Sequence, residues 1–191
     1  MDKKNIVGIV LCIIVIGLLG AALFGSWWIY KEEQGVGTIT SRTMDFKLQE
    51  KTVTTEGSAG TSTTTETYTG EMKNVYDNTY YMVIGTLATA IISLICLIVT
   101  GMGKIKSEIG VIFLTITLIL TAIAPVYFAT ALTNALENTP GLLWKRGFSG
   151  MAEGGGVSWG PGFGWYLLII AFVFVVVVVL IQILGNKKIG K

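Results

Sequence analysis

Site chemistry most often starts from histidine, and this chain of 191 residues has none. The commonest general base, proton shuttle and metal ligand is therefore missing. Both cysteines, Cys12 and Cys96, fall inside long uncharged apolar runs, where a thiol acts as a small packing residue. Neither is placed for an extracellular disulfide. Asp45, Glu50 and Glu56 suggest a surface calcium site, but their spacing is not that of a calcium loop. Gly154-Gly155-Gly156 lacks the lysine and following helix of a phosphate-binding loop and reads as a turn. Thr115, Thr117 and Thr121 offer hydroxyls to a pore lining, and equally to hydrogen bonds between helices. Gln182 is the only strongly polar side chain in the last apolar run, with headgroups or a neighbouring helix as its expected surroundings. No catalytic, cofactor-binding or metal-binding set emerges. The expectation is a non-enzymatic protein without a cofactor.

The elements that carry these residues are set by charge and hydropathy. Hydrophobic residues make up 52% of the chain and charged residues 14%, where a soluble domain carries about a quarter charged. Mean hydropathy is +0.67. A net charge of only +2 argues for no nucleic-acid partner. No charged residue occurs in 5–30, 78–103, 109–136 or 154–186. Each stretch exceeds the ~20 residues a bilayer crossing needs. Backbone amides at that depth must bond within their own segment, so helices are expected. The spans are placed at 7–30, 81–102, 109–132 and 164–184, within one domain covering 1–191. The rival reading of the first as a signal peptide is disfavoured, because such apolar cores run only ~7–15 residues. Trp27, Trp28 and Tyr30 then read as interfacial anchors at its outer end, and Trp165 and Tyr166 as the same device at the last span.

Lysines set the orientation. The N-terminus, the 103–108 connection and the C-terminus together carry +5, and the two long segments −3. Short basic segments stay inside. The expectation is a multi-pass cell-membrane protein with cytoplasmic N- and C-termini and two outward loops, about 31–80 and 133–163.

In the first loop Met44, Phe46 and Leu48 alternate with Asp45, Lys47 and Gln49, the period of a half-buried strand. Lys51 to Thr55 continues with β-branched residues, Gly57-Ser58-Ala59-Gly60 is turn chemistry, and Thr61 to Thr69 is again strand-prone. A small antiparallel β-sheet is expected, with a disordered threonine-rich tract as the alternative. The second loop opens on Asn138-Thr139-Pro140-Gly141. Neither loop has an Asn-x-Ser/Thr sequon. Small residues recur at spacing four as Gly17, Ala21, Gly25 and as Gly85, Thr89, Ser93. Such faces let helices approach closely in lipid, within one bundle or between two copies. Pro125 removes one intrahelical bond and predicts a kink, static or hinge-like.

The whole layout resembles the claudin/PMP22-like tetraspan superfamily. The resemblance rests on four spans, a β-rich first loop, a tryptophan at the exit of the first helix, and Gly160-Pro161-Gly162-Phe163-Gly164-Trp165-Tyr166-Leu167 before the last. It implies a membrane all-α four-helix bundle with a small extracellular antiparallel β-sheet. The Gly-Leu-Trp stretch and cysteine pair of the claudin first loop are absent here, so paracellular sealing is not implied.

The expected partners are the lipid bilayer and, through self-association or another membrane or cell-surface protein, a neighbour at the outer β-rich face. Trp144, Phe148 and Trp159 are the candidate contact aromatics, with rest on the membrane surface as the equal alternative. The role is then structural, adhesive or interactive. A small oligomeric channel or transporter is the second reading, although no charge lies at a midplane. An accessory subunit of a larger membrane complex is the third.

Overall fold

A computed structural model describes residues 3–33, 39–137, 147–151 and 156–187. Four helices dominate: α1 (Lys3–Phe24), α2 (Gly70–Gly101), α3 (Ser107–Glu137) and α4 (Phe163–Lys187). All four are long and apolar enough to cross a membrane. The 22 residues of α1 extend about 33 Å at ~1.5 Å per residue, against a hydrocarbon core of about 30 Å. Six strands fall between the helices: β1 (Trp28–Glu32), β2 (Ile39–Phe46), β3 (Lys51–Gly57), β4 (Gly60–Glu66), β5 (Gly150–Met151) and β6 (Val157–Pro161). The chain divides into two compact units, one helical and one built around the sheet.

The helical unit comprises the chain up to Ala21, Tyr81–Pro125, and the chain from Leu167 on. Its inner positions are small or aliphatic: Cys12, Val15, Leu19, Ala90, Leu97, Leu114, Ala124, Leu168, Ala171 and Val175 are all buried. Its surface is apolar as well, with Ile13, Ile95, Ile112 and Leu180 each at least half exposed. A water-facing surface does not distribute side chains in that way. A polar seam joins α2 to α3. Thr117 Oγ1 lies 3.1 Å from Thr89 Oγ1 and 3.4 Å from Ser93 Oγ. Thr117, Thr121 and Ser93 also donate to carbonyls of their own helices at 2.7–2.9 Å. Of the three threonines, Thr117 takes the interhelical reading; Thr121 donates to carbonyls of its own helix, and Thr115 is exposed and donates to Val111 O at 2.8 Å.

Close helix contact in this unit uses glycines other than the expected ones. A Cβ on Gly8 would meet the Gln182 amide, and one on Gly110 would touch Cys96 and Leu97. Gln182 is fully buried, and its Nε2 donates to Lys4 O at 3.4 Å. It meets a neighbouring helix rather than headgroups. A Cβ on Gly17 or on Gly85 would meet nothing within 4 Å, and Gly17 and Ala21 lie on an exposed face of α1. Packing of Gly17 and Gly85 against other helices of the same chain is thus corrected: spacing alone identifies a smooth stripe but not the partner that covers it. Thr89 and Ser93 of the second stripe do pack, through Thr117. Pro125 is buried within α3, which continues through it from Ser107 to Glu137.

The second unit comprises Ala22–Tyr80 and Val126–Tyr166. All six strands form one antiparallel sheet in the order β4-β3-β2-β1-β6-β5. The alternation at Met44, Phe46 and Leu48 is realised as buried side chains, and Gly57-Ser58-Ala59-Gly60 is the tight turn between β3 and β4. Residues 157–161 join the sheet although Val157-Ser158-Trp159-Gly160-Pro161 carries no clear strand period in sequence. They pair with β1 from Glu32↔Val157 to Trp28↔Pro161. Proline is tolerated there because Gly162, not Pro161, donates to β1, and the N side of Pro161 faces away from β1 at a position that β5 does not pair.

The helix α1 stops at Phe24, six residues before the expected end of the span. Gly25 and Ser26 break it, and the Trp27 indole N–H donates to Ala22 O at 2.7 Å, satisfying one of the orphan carbonyls of a helix end. Trp27 and Trp28 are 0% exposed and Tyr30 2%. They are core residues of the sheet unit rather than interfacial anchors, because β1 runs through the middle of the sheet. Composition could not distinguish these two environments, both of which favour aromatics.

Candidate interaction surface

Beneath the sheet lies an aromatic cluster. Trp28 meets Phe46 edge-on at 5.0 Å. Tyr68 stacks on Tyr76 at 4.1 Å, and Tyr76 and Trp27 both place their edges against Phe128, at 5.3 and 5.1 Å. Edge-to-face and offset geometries of this kind add stability beyond area burial. The Tyr68 hydroxyl donates to the carbonyls of Lys47 and Glu50, the latter at 2.8 Å. It thereby pins the turn between β2 and β3. Burial, reinforced by the Asp45 charge, pushes the Tyr68 phenol well above its ordinary range. The Tyr30 phenol is pushed up to about 12 by burial and by Glu32, whose carboxylate accepts its hydrogen bond.

Glycines join β1 to the start of α4. Gly162 N–H donates to Trp27 O at 3.0 Å and Gly164 N–H to Ser26 O at 2.6 Å. A Cβ on Gly162 would strike the Ser26 carbonyl, and one on Gly164 would lie 2.9 Å from the Trp27 ring. The Gly-Pro-Gly-Phe-Gly-Trp stretch is therefore a close-approach device. Trp165 is half-buried against Phe148 at 5.6 Å, and Tyr166 is 48% exposed.

Of the candidate contact aromatics, Trp144 lies outside the described residues. Phe148 is half-buried between Phe128 and Trp165, and its carbonyl accepts the Trp28 indole N–H at 2.9 Å. Trp159 donates to Gly147 O at 3.2 Å and covers Gly150. Both are engaged in packing the second loop. The carboxylates Asp45, Glu50 and Glu56 are not brought together: Asp45 pairs across to Thr52, Glu50 meets Lys47 at 3.9 Å, and Glu56 accepts from Ser41 at 3.1 Å. Among the described residues no three metal-ligating side chains gather.

The open feature is β4. All seven of its residues are exposed, so it covers no core. It is held by its ladder with β3, by Lys51–Glu66 at 2.7 Å and by the Thr54–Thr63 hydroxyl contact at 3.4 Å. The Lys51 contact holds the Glu66 carboxyl below its usual pKa. Ladder alternation shows which backbone groups point outward. Lys47 N–H donates to Glu50 O at 2.9 Å. Counting from that bonded pair, Thr52, Thr54 and Glu56 turn their backbone groups to β2, and Lys51, Val53, Thr55 and Gly57 turn theirs to β4. The partners of the latter are Glu66, Thr64, Ser62 and Gly60. Thr61, Thr63 and Thr65 are left with N–H and C=O groups directed away from the sheet. Sheet edges are ordinarily blunted by brevity, lysine, proline or a bulge. At the opposite edge, among the described residues, β5 spans two residues, Gly150–Met151. None of those devices occurs in β4, whose ladder is continuous and whose single charge is Glu66. Sequence reasoning found the strand and missed the edge, because strand order is not a local property.

No known protein-family model matches this chain, and no curated protein matches it in sequence.

Proposed function

We propose that this chain is a non-enzymatic, four-span protein of the cell membrane that makes contact with a neighbour through an outward-facing sheet, by adding a strand at the edge of β4. The four long apolar helices support the membrane setting. The lysine asymmetry supports cytoplasmic termini and outward long loops. The claudin-like scaffold belongs to the same proposal, with adhesion or assembly as its use. The observation that carries the contact role is the unprotected edge of β4, whose outward backbone groups at Thr61, Thr63 and Thr65 are the recognition element of strand addition.

The test is an edge-blocking substitution. Thr63→Pro removes one outward donor, and Thr63→Lys places a charge on a neutral edge. Because Thr63 is exposed, the fold should survive both. Gentle extraction from the native membrane, followed by native mass measurement and identification of what accompanies the protein, should show the wild type in a complex and both variants stripped of it. Unchanged mass and composition in both variants would refute the edge as the contact surface.

A further inference from the structure

We infer that the neighbour at the β4 edge is a second copy of this chain, paired antiparallel about a two-fold axis through Thr63. The inference rests on the edge-contact reading above and names its partner. The outward-facing residues are three, evenly spaced and centred on Thr63. An antiparallel partner strand must present its own outward-facing residues opposite them. With Thr63 opposite Thr63 of the second copy, Thr61 falls opposite Thr65 and Thr65 opposite Thr61. All six outward N–H and C=O pairs then find partners. Sliding either way by one residue within a symmetric pair, so that Thr61 meets Thr63 or Thr63 meets Thr65, leaves one residue of each strand unpaired. The centred register is thus the one that satisfies the edge completely, and isologous pairing of this kind closes as a dimer.

Side chains agree with that register. Thr63–Thr63, Thr61–Thr65 and Ser62–Thr64 juxtapose hydroxyl-bearing side chains, a favourable cross-strand combination. The single charge of the strand, Glu66, falls opposite Gly60. The two Glu66 carboxylates are then separated by about 20 Å at ~3.4 Å per residue, beyond a Debye length of about 8 Å at physiological salt. Like charges directly opposed would argue against self-pairing, and this strand has none. A basic or apolar ligand peptide would call for acidic or apolar positions along the edge, and the run from Thr61 to Thr65 offers only hydroxyls.

The experiment uses the full chain reconstituted in liposomes, with Cys12 and Cys96 replaced by alanine and single cysteines introduced at the edge. Opposed residues of a hydrogen-bonded antiparallel pair have Cα atoms about 5.5 Å apart, within disulfide reach. Thr63→Cys should therefore form a covalent dimer on mild oxidation, several-fold more than Thr61→Cys or Thr65→Cys alone. In the two latter variants the identical positions lie about 14 Å apart. Mixing Thr61→Cys protein with Thr65→Cys protein should give the crossed dimer. Equal dimer from all three single variants would indicate random collision and overturn the proposal. So would no dimer from Thr63→Cys in protein that is membrane-inserted with its tryptophan emission unchanged. In that event, Thr63→Lys still stripping a different protein from the native complex would leave the edge reading standing with another partner. If it strips nothing, the edge reading falls too.

Discussion

Gly162 is the position where a single added methyl group should do the most damage to the sheet unit. A Cβ there would lie 2.7 Å from the carbonyl carbon of Ser26 and 2.9 Å from its Cβ, where carbon atoms normally rest about 3.5–4.0 Å apart. The obstacle is backbone, and that backbone is tied on both sides: Gly162 N–H to Trp27 O at 3.0 Å and Gly164 N–H to Ser26 O at 2.6 Å. Relief therefore requires β1 and the start of α4 to separate, stretching both bonds. Overpacking of this sort costs about 1–3 kcal/mol, and the rigidity of the obstacle points to the upper part of that range. Alanine also narrows the unfolded ensemble, which offsets roughly 0.4–1 kcal/mol. The net loss is then about 2 kcal/mol, which lowers Tm by roughly 4–8 °C for a chain of this size. The assay is heating of Gly162→Ala and wild type in the same detergent at one scan rate, since membrane-protein unfolding is commonly irreversible. Emission from Trp27 and Trp28, both 0% exposed, reports loss of the core. Gly17→Ala is the control: nothing lies within 4 Å of its new methyl, and helix propensity favours alanine by about 1 kcal/mol. Gly17→Ala should melt level with or above wild type. If Gly162→Ala does the same, the close approach of β1 to the start of α4 does not exist as described.

Tyr68→Phe removes the hydroxyl that bridges Lys47 O and Glu50 O and should destabilise the sheet unit by about 1–3 kcal/mol, read in the same melt. Tyr30 and Tyr68 have raised phenol pKa values in the folded chain. Their contribution is therefore fully present below the unfolded value near pH 10 and is lost as pH rises toward and beyond about 12, the folded value of Tyr30. Melting temperature should be flat through neutral pH and fall above about pH 10, and a flat profile to pH 12 would contradict the burial of these phenols. Thr117→Val unties the hydroxyl seam between α2 and α3 and should cost only about 0.6–2 kcal/mol, because Thr89 and Ser93 keep bonds to their own helix carbonyls. A far larger loss in detergent stability would mean that the seam holds more than these two helices.

Much of this architecture was legible without coordinates. Charge-free length is a property of consecutive residues, so the four helices followed from composition alone, as did the alternation at Met44, Phe46 and Leu48 and the turn at Gly57 to Gly60. Boundaries were less legible: nothing local distinguishes a tryptophan at a lipid interface from Trp27 capping a helix carbonyl inside a core. The strand at 157–161 was hidden because its pairing with β1 is non-local and its own residues carry no period. The same holds for Gly17 and Gly8: both are glycines in one apolar run, and only the path of the neighbouring helix decides that Gly8 meets Gln182 while Gly17 faces open space. Strand order is the clearest case. Threonine propensity predicted an extended run over 61–69, which the structure realises as a strand over Gly60–Glu66, but which of its groups bond, which remain unpaired, and that it ends the sheet were decided by the tertiary structure, because an edge exists only relative to all the other strands.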